Sequence, residues 1–188
     1  MRESELPPPL LDLADYLTID LMTIEAHPPI VKTIIWLDEN ATAAFARSLA
    51  AQAGIADALI ELRGELGAGK TTFVRHLLGA LGVPGRIKSP TYTVVEPYTL
   101  AASSAWPAGL AIWHFDFYRF NDPQEWEDAG FRDNFASPGL KLVEWPDKAG
   151  AHLPPSDLSI TLEVGLDNSR SVTLTAHTTA GVGLLQAP

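Results

Sequence analysis

Apolar and polar positions follow one another in blocks that predict strands and helices in turn along the chain. A short β-pattern over 33–37 precedes polar capping residues and an Ala-rich helical pattern that ends at Gln52. A second β-pattern covers 58–63, and after a Gly-rich turn a helical pattern runs over 70–81 until glycine and proline stop it. This order of strands and helices predicts an α/β domain.

The second half of the chain is richer in β-patterns. They cover 93–100, 110–118 and 140–145, and they are joined by a Ser/Ala/Pro loop and by a polar stretch with short helical potential over 122–135. We expect an open, mostly parallel sheet with one antiparallel pair. Alternating residues on both sides of an Asp-Asn-Ser turn within 160–176 predict an antiparallel hairpin with one buried face.

Residues 1–31 differ from the rest of the chain in charge and proline content. One arginine faces six carboxylates, which gives this segment a net charge of −5, and five prolines flank its apolar stretch. We interpret it as an acidic, flexible extension that precedes a domain of residues 32–188. Because Met22 is the only other methionine, the extension is either a native tail or the product of a misassigned start codon.

The composition excludes several classes of protein. The chain of 188 residues has no cysteine, which rules out disulfides, thiol catalysis and cysteine-ligated zinc, and its five histidines show no paired metal-ligand spacing. No apolar stretch reaches the length of about 20 residues that a membrane-spanning helix needs, so we expect a cytoplasmic protein. A formal charge of −10 argues against direct binding to nucleic acid, which needs clustered lysine and arginine.

One motif carries a defined chemistry, the phosphate loop from Gly64 to Thr71. Its sequence Gly-Glu-Leu-Gly-Ala-Gly-Lys-Thr matches G-x-x-x-x-G-K-[ST] and lies between a β-pattern and a helical one. The glycines let successive N–H groups face one anion, Lys70 reaches the β- and γ-phosphates, and the Thr71 hydroxyl binds Mg²⁺. The motif and the element order together predict a single P-loop NTPase-like α/β domain that binds ATP and Mg²⁺. Its mixed, mostly parallel sheet would be flanked by helices and would include the C-terminal hairpin.

Two acidic residues end apolar β-patterns and are candidates for hydrolytic chemistry. Asp116 closes the pattern 111–115, and Glu144 closes the pattern 140–143, which Lys141 interrupts. Carboxylates at the ends of strands next to a phosphate loop hold the metal ion and position water. The alternative is that each is a solvated carboxylate at the end of a strand.

A hydroxyl-rich segment, 88–93, lies beyond the predicted phosphate-loop helix. Its sequence Lys-Ser-Pro-Thr-Tyr-Thr offers Ser89, Thr91 and Thr93 as groups that would close over the γ-phosphate as a switch does. A hydrogen-bonded turn into the next strand explains the same residues. Chemistry alone leaves both interpretations open.

These motifs closely resemble one family, the bacterial P-loop ATPases called TsaE, formerly YjeE, which are required for threonylcarbamoyladenosine modification of tRNA. The resemblance rests on four stretches in the family's order and spacing and covers roughly residues 33–178. The stretches are 64–72, 88–93, 114–119 (His-Phe-Asp-Phe-Tyr-Arg) and 142–146 (Leu-Val-Glu-Trp-Pro). Residues 1–31 have no counterpart in the family pattern.

The resemblance implies roles for individual residues. Thr71 and Glu144 would hold Mg²⁺, Asp116 and Trp145 would be needed for activity, and the segment 88–93 would act as a switch. The loop residues expected to bind the nucleotide phosphates are Leu66, Gly67, Ala68, Gly69, Lys70, Thr71 and Thr72. The family also implies a weak ATPase that acts through two partner proteins, TsaB and TsaD, of which TsaD transfers threonylcarbamoyl to an adenosine of the tRNA.

Other nucleotide-dependent classes compete with this interpretation. A small-molecule kinase shares the phosphate loop but usually adds a mobile lid with several arginines, whereas the arginines after this loop are scattered over distant segments. A GTPase would carry the motif Asn-Lys-x-Asp, which the chain lacks. A scaffold that binds ATP and hardly hydrolyses it is a further alternative, which single-turnover hydrolysis would distinguish.

Overall fold

A mixed sheet organises the part of the chain that this computed structural model describes, residues 28–122 and 124–186. Its strands are β1 (Ile30–Trp36), β2 (Leu59–Arg63), β3 (Val95–Leu100), β4 (Leu110–Asp116), β5 (Leu140–Glu144), β6 (Leu158–Val164) and β7 (Arg170–Ala176). The helices are α1 (Glu39–Ala50), α2 (Lys70–Leu81), α3 (Gln124–Asp128), α4 (Arg132–Ala136) and α5 (Thr179–Leu185). Short 3₁₀ turns cover 53–57, 146–148 and 150–152.

The strands lie in the order β1-β7-β6-β2-β5-β4-β3. The four central strands, β6, β2, β5 and β4, run parallel to one another, whereas β1–β7, β6–β7 and β3–β4 pair antiparallel. The predicted α/β fold, with its mostly parallel sheet, flanking helices and C-terminal hairpin, is confirmed. The sheet differs from the expectation in having a second antiparallel pair besides the hairpin, because β1 adds to the outer edge of β7.

The two longest helices cover one face of the sheet. α2 begins and ends where the periodic pattern predicts, and α1 begins at Asp38, whose carboxylate accepts a hydrogen bond from the Ala41 N–H at 2.9 Å. Their apolar sides meet β1, β2 and β6 in the larger of two cores, where the rings of Trp36 and Phe73 stack. The phosphate loop lies at the edge of this core, between β2 and α2.

A second core, rich in aromatic side chains, covers the opposite face of β2, β4 and β5. Phe115 and Phe117 extend from the end of β4 and pack against Phe131, while α3 contributes the buried Trp126. The polar stretch 122–135, for which the sequence predicts short helices, therefore forms α3 and α4, which pack against the ends of these strands. Within the described ranges no helix is long and apolar enough to cross a membrane.

The parallel strands bring the predicted chemistry to one edge of the sheet. In the sheet register Glu144, the last residue of β5, lies beside Leu62 of β2 on one side and beside Asp116 of β4 on the other. The phosphate loop follows directly after β2. The loop and both carboxylates therefore meet at the carboxyl ends of neighbouring strands, where α/β sheets bind their ligands.

β1 begins three residues before the start that its sequence pattern indicates. Ile30 and Val31, which we assigned to the acidic extension, pair with Ala176 and Thr175 of β7. Both apolar side chains are largely exposed at the sheet edge, so this end of the strand lacks the alternation by which a half-buried strand is predicted. The rest of the predicted extension, residues 1–27, lies outside the described residues.

Candidate functional site

The loop between β2 and α2 has the backbone conformation of a phosphate loop. Gly64, Gly67 and Gly69 adopt positive φ angles of 131°, 81° and 112°. Gly64 also passes close to β6, because a Cβ built at this position would lie 2.3 Å from the carbonyl oxygen of Leu162. The first residue after β2 must therefore be glycine, both for its conformation and for the space around it.

Lys70, the first residue of α2, turns its ammonium into this loop. Nζ donates to the carbonyl oxygens of Gly64 at 2.6 Å and Glu65 at 2.9 Å, and it lies 3.9 Å from the centre of the Trp145 ring. Desolvation lowers the pKa of Lys70, while nearby carboxylates, Glu144 above all, oppose that shift. A cation is thus held inside the loop, in position to pair with an anionic phosphate.

Thr71 and Glu144 form a direct link between α2 and β5. The Thr71 hydroxyl lies 2.9 Å from each carboxylate oxygen of Glu144, and the Nε2 of His114 lies 2.9 Å from Oε1 of the same carboxylate. Both His114 and Glu144 are buried. Nδ1 of His114 has no hydrogen-bond partner among the described residues, so His114 contacts the site through Nε2, which donates to the acceptor-only carboxylate of Glu144.

Asp116 organises the hydroxyl-rich segment that follows α2. Its Oδ2 accepts hydrogen bonds from Ser89 Oγ and from Thr91 Oγ1, each at 2.5 Å, and the two hydroxyl oxygens lie 2.6 Å apart. Its Oδ1 accepts from the Tyr118 N–H at 3.0 Å. Asp116 is itself buried, so the charge of this carboxylate is stabilised by three donors rather than by solvent.

One pocket, of about 320 Å³, brings most of the predicted site residues together. Those that line it are Leu66, Gly67, Gly69, Lys70, Thr71, Thr72, Ser89, Thr91, Asp116, Glu144 and Trp145. Two predicted residues do not line it. Ala68 faces the neighbouring pocket, and Thr93 is exposed to solvent at the end of the hydroxyl-rich segment.

Trp145 joins the site through an unusual backbone. It adopts a left-handed conformation with φ 59° and ψ 48°, which is uncommon for a bulky residue, at the start of the 3₁₀ turn that follows β5. The indole packs against Tyr118, with a distance of 5.1 Å between ring centres, and against the ammonium of Lys70. The strained turn thereby places an aromatic wall beside the cation of the loop.

A second, smaller pocket of about 140 Å³ adjoins the first and shares Gly69 and Thr72 with it. Trp36 of β1 and Thr42 of α1 line one part, and Arg170 of β7 lines another. The Arg170 Nε donates to the Ala68 carbonyl oxygen at 3.0 Å, which ties β7 to the phosphate loop. An aromatic ring, hydroxyls and a cation beside a phosphate loop suit the nucleoside part of a nucleotide.

Neither His114 nor Trp36 was predicted to belong to the site. His114 lies two residues before Asp116, and alternation along a strand places both on one face, which was a usable signal. Trp36 and Arg170 lie at opposite ends of the chain, on β1 and β7. No spacing in the sequence indicates that these two strands pair.

Comparison with known proteins identifies relatives over most of the chain. The family model described as "Threonylcarbamoyl adenosine biosynthesis protein TsaE" matches residues 36–172. The Haemophilus influenzae protein named "tRNA threonylcarbamoyladenosine biosynthesis protein TsaE" is 40% identical over 129 residues, which are 69% of this chain and 77% of the relative. A Bacillus subtilis protein of the same name is 36% identical over 148 residues, 78% of this chain and 87% of the relative.

A solved structure shows the same fold. The crystal structure of Bacillus subtilis YdiB superposes with a TM-score of 0.66 at 27% sequence identity, over 85% of this chain and 95% of that protein. The similarity thus extends through the sheet, the phosphate loop and the strand ends that carry the acidic residues.

Proposed function

The chain belongs to the TsaE family, and on this premise we propose that it is a Mg²⁺-dependent ATPase required for threonylcarbamoyladenosine modification of tRNA. The observation that carries the proposal is the convergence of Lys70, the Thr71–Glu144 pair and Asp116 in one pocket. A phosphate loop alone indicates nucleotide binding. The buried carboxylates beside it add what hydrolysis needs.

Binding of ATP rests on the loop and its lysine. The backbone N–H groups of 66–71 and the start of α2 receive the phosphates, and Lys70 exchanges its contacts with two carbonyl oxygens for contacts with phosphate oxygens. The adjoining pocket, with Trp36 and Arg170, receives the base and the ribose. Since the two pockets share Gly69 and Thr72, one nucleotide spans both.

The residues around Thr71 fit a magnesium ion. Its hydroxyl proton points to Glu144, which leaves the lone pairs of the oxygen free for a cation. No group of three or more His, Cys, Asp or Glu side chains in the described ranges is arranged to hold a metal ion. Thr71 and Glu144 would therefore hold the ion with water and phosphate as its other ligands, as is common for Mg²⁺. When bound, Mg²⁺ neutralises charge on the phosphates.

Asp116 supplies the group that orients the attacking water. Its carboxylate already accepts hydrogen bonds from the hydroxyl groups of Ser89 and Thr91 within the same pocket. These hydroxyls lie on the segment that would close over the γ-phosphate, so closure and the orientation of water depend on one carboxylate. His114 holds Glu144 in place through its Nε2–H and acts only through that residue.

Partners complete the proposed role. An acidic chain with a net charge of −10 is poorly suited to hold tRNA directly, so we expect it to act in the cytoplasm through the TsaB and TsaD proteins. Hydrolysis by the isolated chain would then be weak and would rise in their presence.

The experiment is calorimetric titration of ADP and ATP with Mg²⁺ into the protein and into its Lys70→Ala variant, followed by single-turnover hydrolysis with and without TsaB and TsaD. We expect the variant to lose affinity by about 10–100-fold, because it loses a charge-assisted phosphate contact, and to lose hydrolysis. Lys32→Ala, at an exposed lysine of β1, serves as the matched control. Equal nucleotide affinity in all three proteins would contradict the proposal, and binding without any hydrolysis would favour the scaffold.

A further inference from the structure

A groove of about 530 Å³ beside α2 collects three of the chain's cations. Arg75 lies on the helix, and Arg86 and Lys88 lie on the segment that returns from the helix toward the candidate site. Among the residues that the structure describes, no carboxylate lines this groove. We propose that the basic groove, defined by Arg75, Arg86 and Lys88, docks an acidic surface of a partner protein.

The charge of the groove is unusual for this molecule. The chain carries 23 acidic residues against 13 basic ones, yet none of the three groove cations forms an ion pair with a described residue. An unpaired basic patch on an acidic protein attracts an acidic surface and leaves the rest of the molecule to repel it, which fixes the docking orientation.

The backbone that forms the walls of the groove is held in place by contacts within the protein. The Arg75 Nε donates to the Ile87 carbonyl oxygen at 3.1 Å, which ties the helix to the returning segment. Val83 and Ile87 of that segment are buried against the main core. The walls are therefore held by packing and by a hydrogen bond, while Arg86 and Lys88 are exposed to solvent.

The groove ends at the candidate site. Ser89 lines both the groove and the phosphate pocket, and its hydroxyl donates to Asp116. Further along the same segment, the exposed ring of Tyr92 packs against the guanidinium of Arg119 at 4.2 Å. A partner seated in the groove would thus contact the hydroxyl-rich segment and bias the position of Ser89 and Thr91 over the phosphates.

An acidic protein surface suits the groove better than a nucleic acid does. Proteins that hold a phosphate backbone typically neutralise about 6–10 phosphates, whereas this groove offers three cations on a chain whose net charge repels polyanions. A few aspartate or glutamate side chains at the edge of a protein interface need no more than three cationic partners.

The test compares the double variant Arg75→Glu/Arg86→Glu with the control Lys32→Glu/Arg47→Glu, which makes the same change of charge at exposed residues outside the groove. Binding of each full-length chain to the TsaB–TsaD complex is measured by interferometry at low and high salt, and ADP binding is measured separately. The use of the TsaB–TsaD complex as the partner in this test rests on the proposed function. We expect the groove variant to bind the complex at least about tenfold more weakly, the control to stay within about twofold of the parent, and all three to bind ADP alike.

The other outcomes separate the groove from the proposed function. Equal binding of the groove variant to the complex overturns the groove proposal and leaves the ATPase assignment standing. Failure of the parent to bind the complex, with ADP binding intact, overturns both the groove and the partners. If the parent binds free tRNA and the groove variant does not, the groove binds nucleic acid and the proposal is overturned. If the charge-reversal variant melts at a lower temperature than the parent, the neutral variant Arg75→Gln/Arg86→Gln, which should bind the complex with intermediate affinity, replaces it.

Discussion

At the scale of single residues, the Glu144 carboxylate at the end of β5 links α2 and β4 within the candidate site. Thr71 and His114 both contact its carboxylate, and Asp116 lies beside it in the sheet. A group that organises metal and water matters most when charge is redistributed in the transition state. Its removal should therefore affect turnover far more than binding.

We predict that Glu144→Gln and Asp116→Asn each lower the rate of ATP hydrolysis by about 100-fold or more, while metal-free ADP binds within a few-fold of the parental affinity. Single-turnover rates with TsaB and TsaD present test the predicted loss of hydrolysis, and calorimetry with ADP tests the predicted retention of binding. Both substitutions keep the shape of the side chain and remove a buried charge, so the melting temperature should not fall. A variant that hydrolyses ATP at the parental rate would remove that residue from the mechanism.

Lys141 offers a second prediction at this scale, because it is a buried lysine in the middle of β5. Its ammonium lies 3.9 Å from an Asp57 carboxylate oxygen and donates to the Ser137 carbonyl oxygen. Desolvation lowers the pKa of Lys141 below its ordinary value, whereas the charge of Asp57 opposes that shift. The charged form is thus less stable in the folded protein than in the unfolded chain, so a penalty persists at neutral pH and is relieved as pH rises toward the unfolded pKa.

We therefore predict that the free energy of unfolding of the parent rises relative to that of Lys141→Met between neutral pH and about pH 10. Urea unfolding at a series of pH values measures this difference, in which the other titrating groups cancel. At pH 7 the variant should be as stable as the parent or more stable, since replacing a buried charge by an isosteric apolar chain is often neutral or favourable. Two curves that stay parallel across this range would show that Lys141 keeps its ordinary pKa.

Whether the sequence predicts the role of a site residue depends on whether that residue belongs to a motif or acts only through contacts with distant segments. Lys70 and Thr71 stand in a motif whose spacing carries its own mechanism, so they could be named without a structure. Glu144 and Asp116 could be named as strand ends but not as neighbours. The spacing of His114 from Asp116 places both on one face of the strand, but the contact of His114 with Glu144 could not be predicted, because the sequence does not show that β4 and β5 are neighbours.

At the scale of elements, α5 shows how closely two segments can approach. A Cβ built on Gly181 would lie 1.9 Å from the Asp157 carbonyl oxygen, whereas one built on Gly183 of the same helix meets nothing within 4 Å. The helix thus offers a test position and a matched control that lie two residues apart. The helix packs here because glycine leaves room for the loop before β6.

We predict that Gly181→Ala destabilises the protein by about 1–3 kcal/mol, since α5 must move away from Asp157 to admit the methyl group. For a domain of this size that lowers the melting temperature by at least about 3 °C. Gly183→Ala should raise it slightly, by the entropy that glycine loses in a helix. Thermal unfolding compares the three proteins. Equal melting of both variants would mean that α5 is not held against the sheet.

The elements divide into those that the pattern predicted and those that tertiary context decided. α2 has strong periodicity, a glycine-rich entry and a glycine after its end, and its bounds were predicted to the residue. α5 was not predicted, because Gly181 and Gly183 weaken its helical propensity and its stability comes from packing against β7. β1 was placed late because the apolar side chains at its start are exposed at a sheet edge.

At the scale of the whole molecule, every residue of the candidate site lies within 36–170. We predict that deletion of residues 1–27 leaves ADP affinity unchanged and the melting temperature within about 2 °C. Deletion of 1–36 should lower both, because it removes β1, which pairs with β7 along its length, and the buried Trp36. Calorimetry and thermal unfolding of the two truncated chains provide the check. A marked loss on deleting 1–27 alone would make the acidic extension part of the fold.

The pairing of β1 with β7 has a consequence for how the protein is made. β1 is synthesised early, but among the described strands it pairs only with β7, which residues 170–176 form. The central strand β2 can pair only after β5 and β6 have been synthesised. α1 and α2 can form locally during translation, whereas the sheet that holds them cannot close until nearly all of these strands have been synthesised. The nascent chain therefore exposes β-forming segments for most of its synthesis, and nucleotide cannot hasten its folding, because the pocket with Trp36 and Arg170 exists only after the last strand has joined the first.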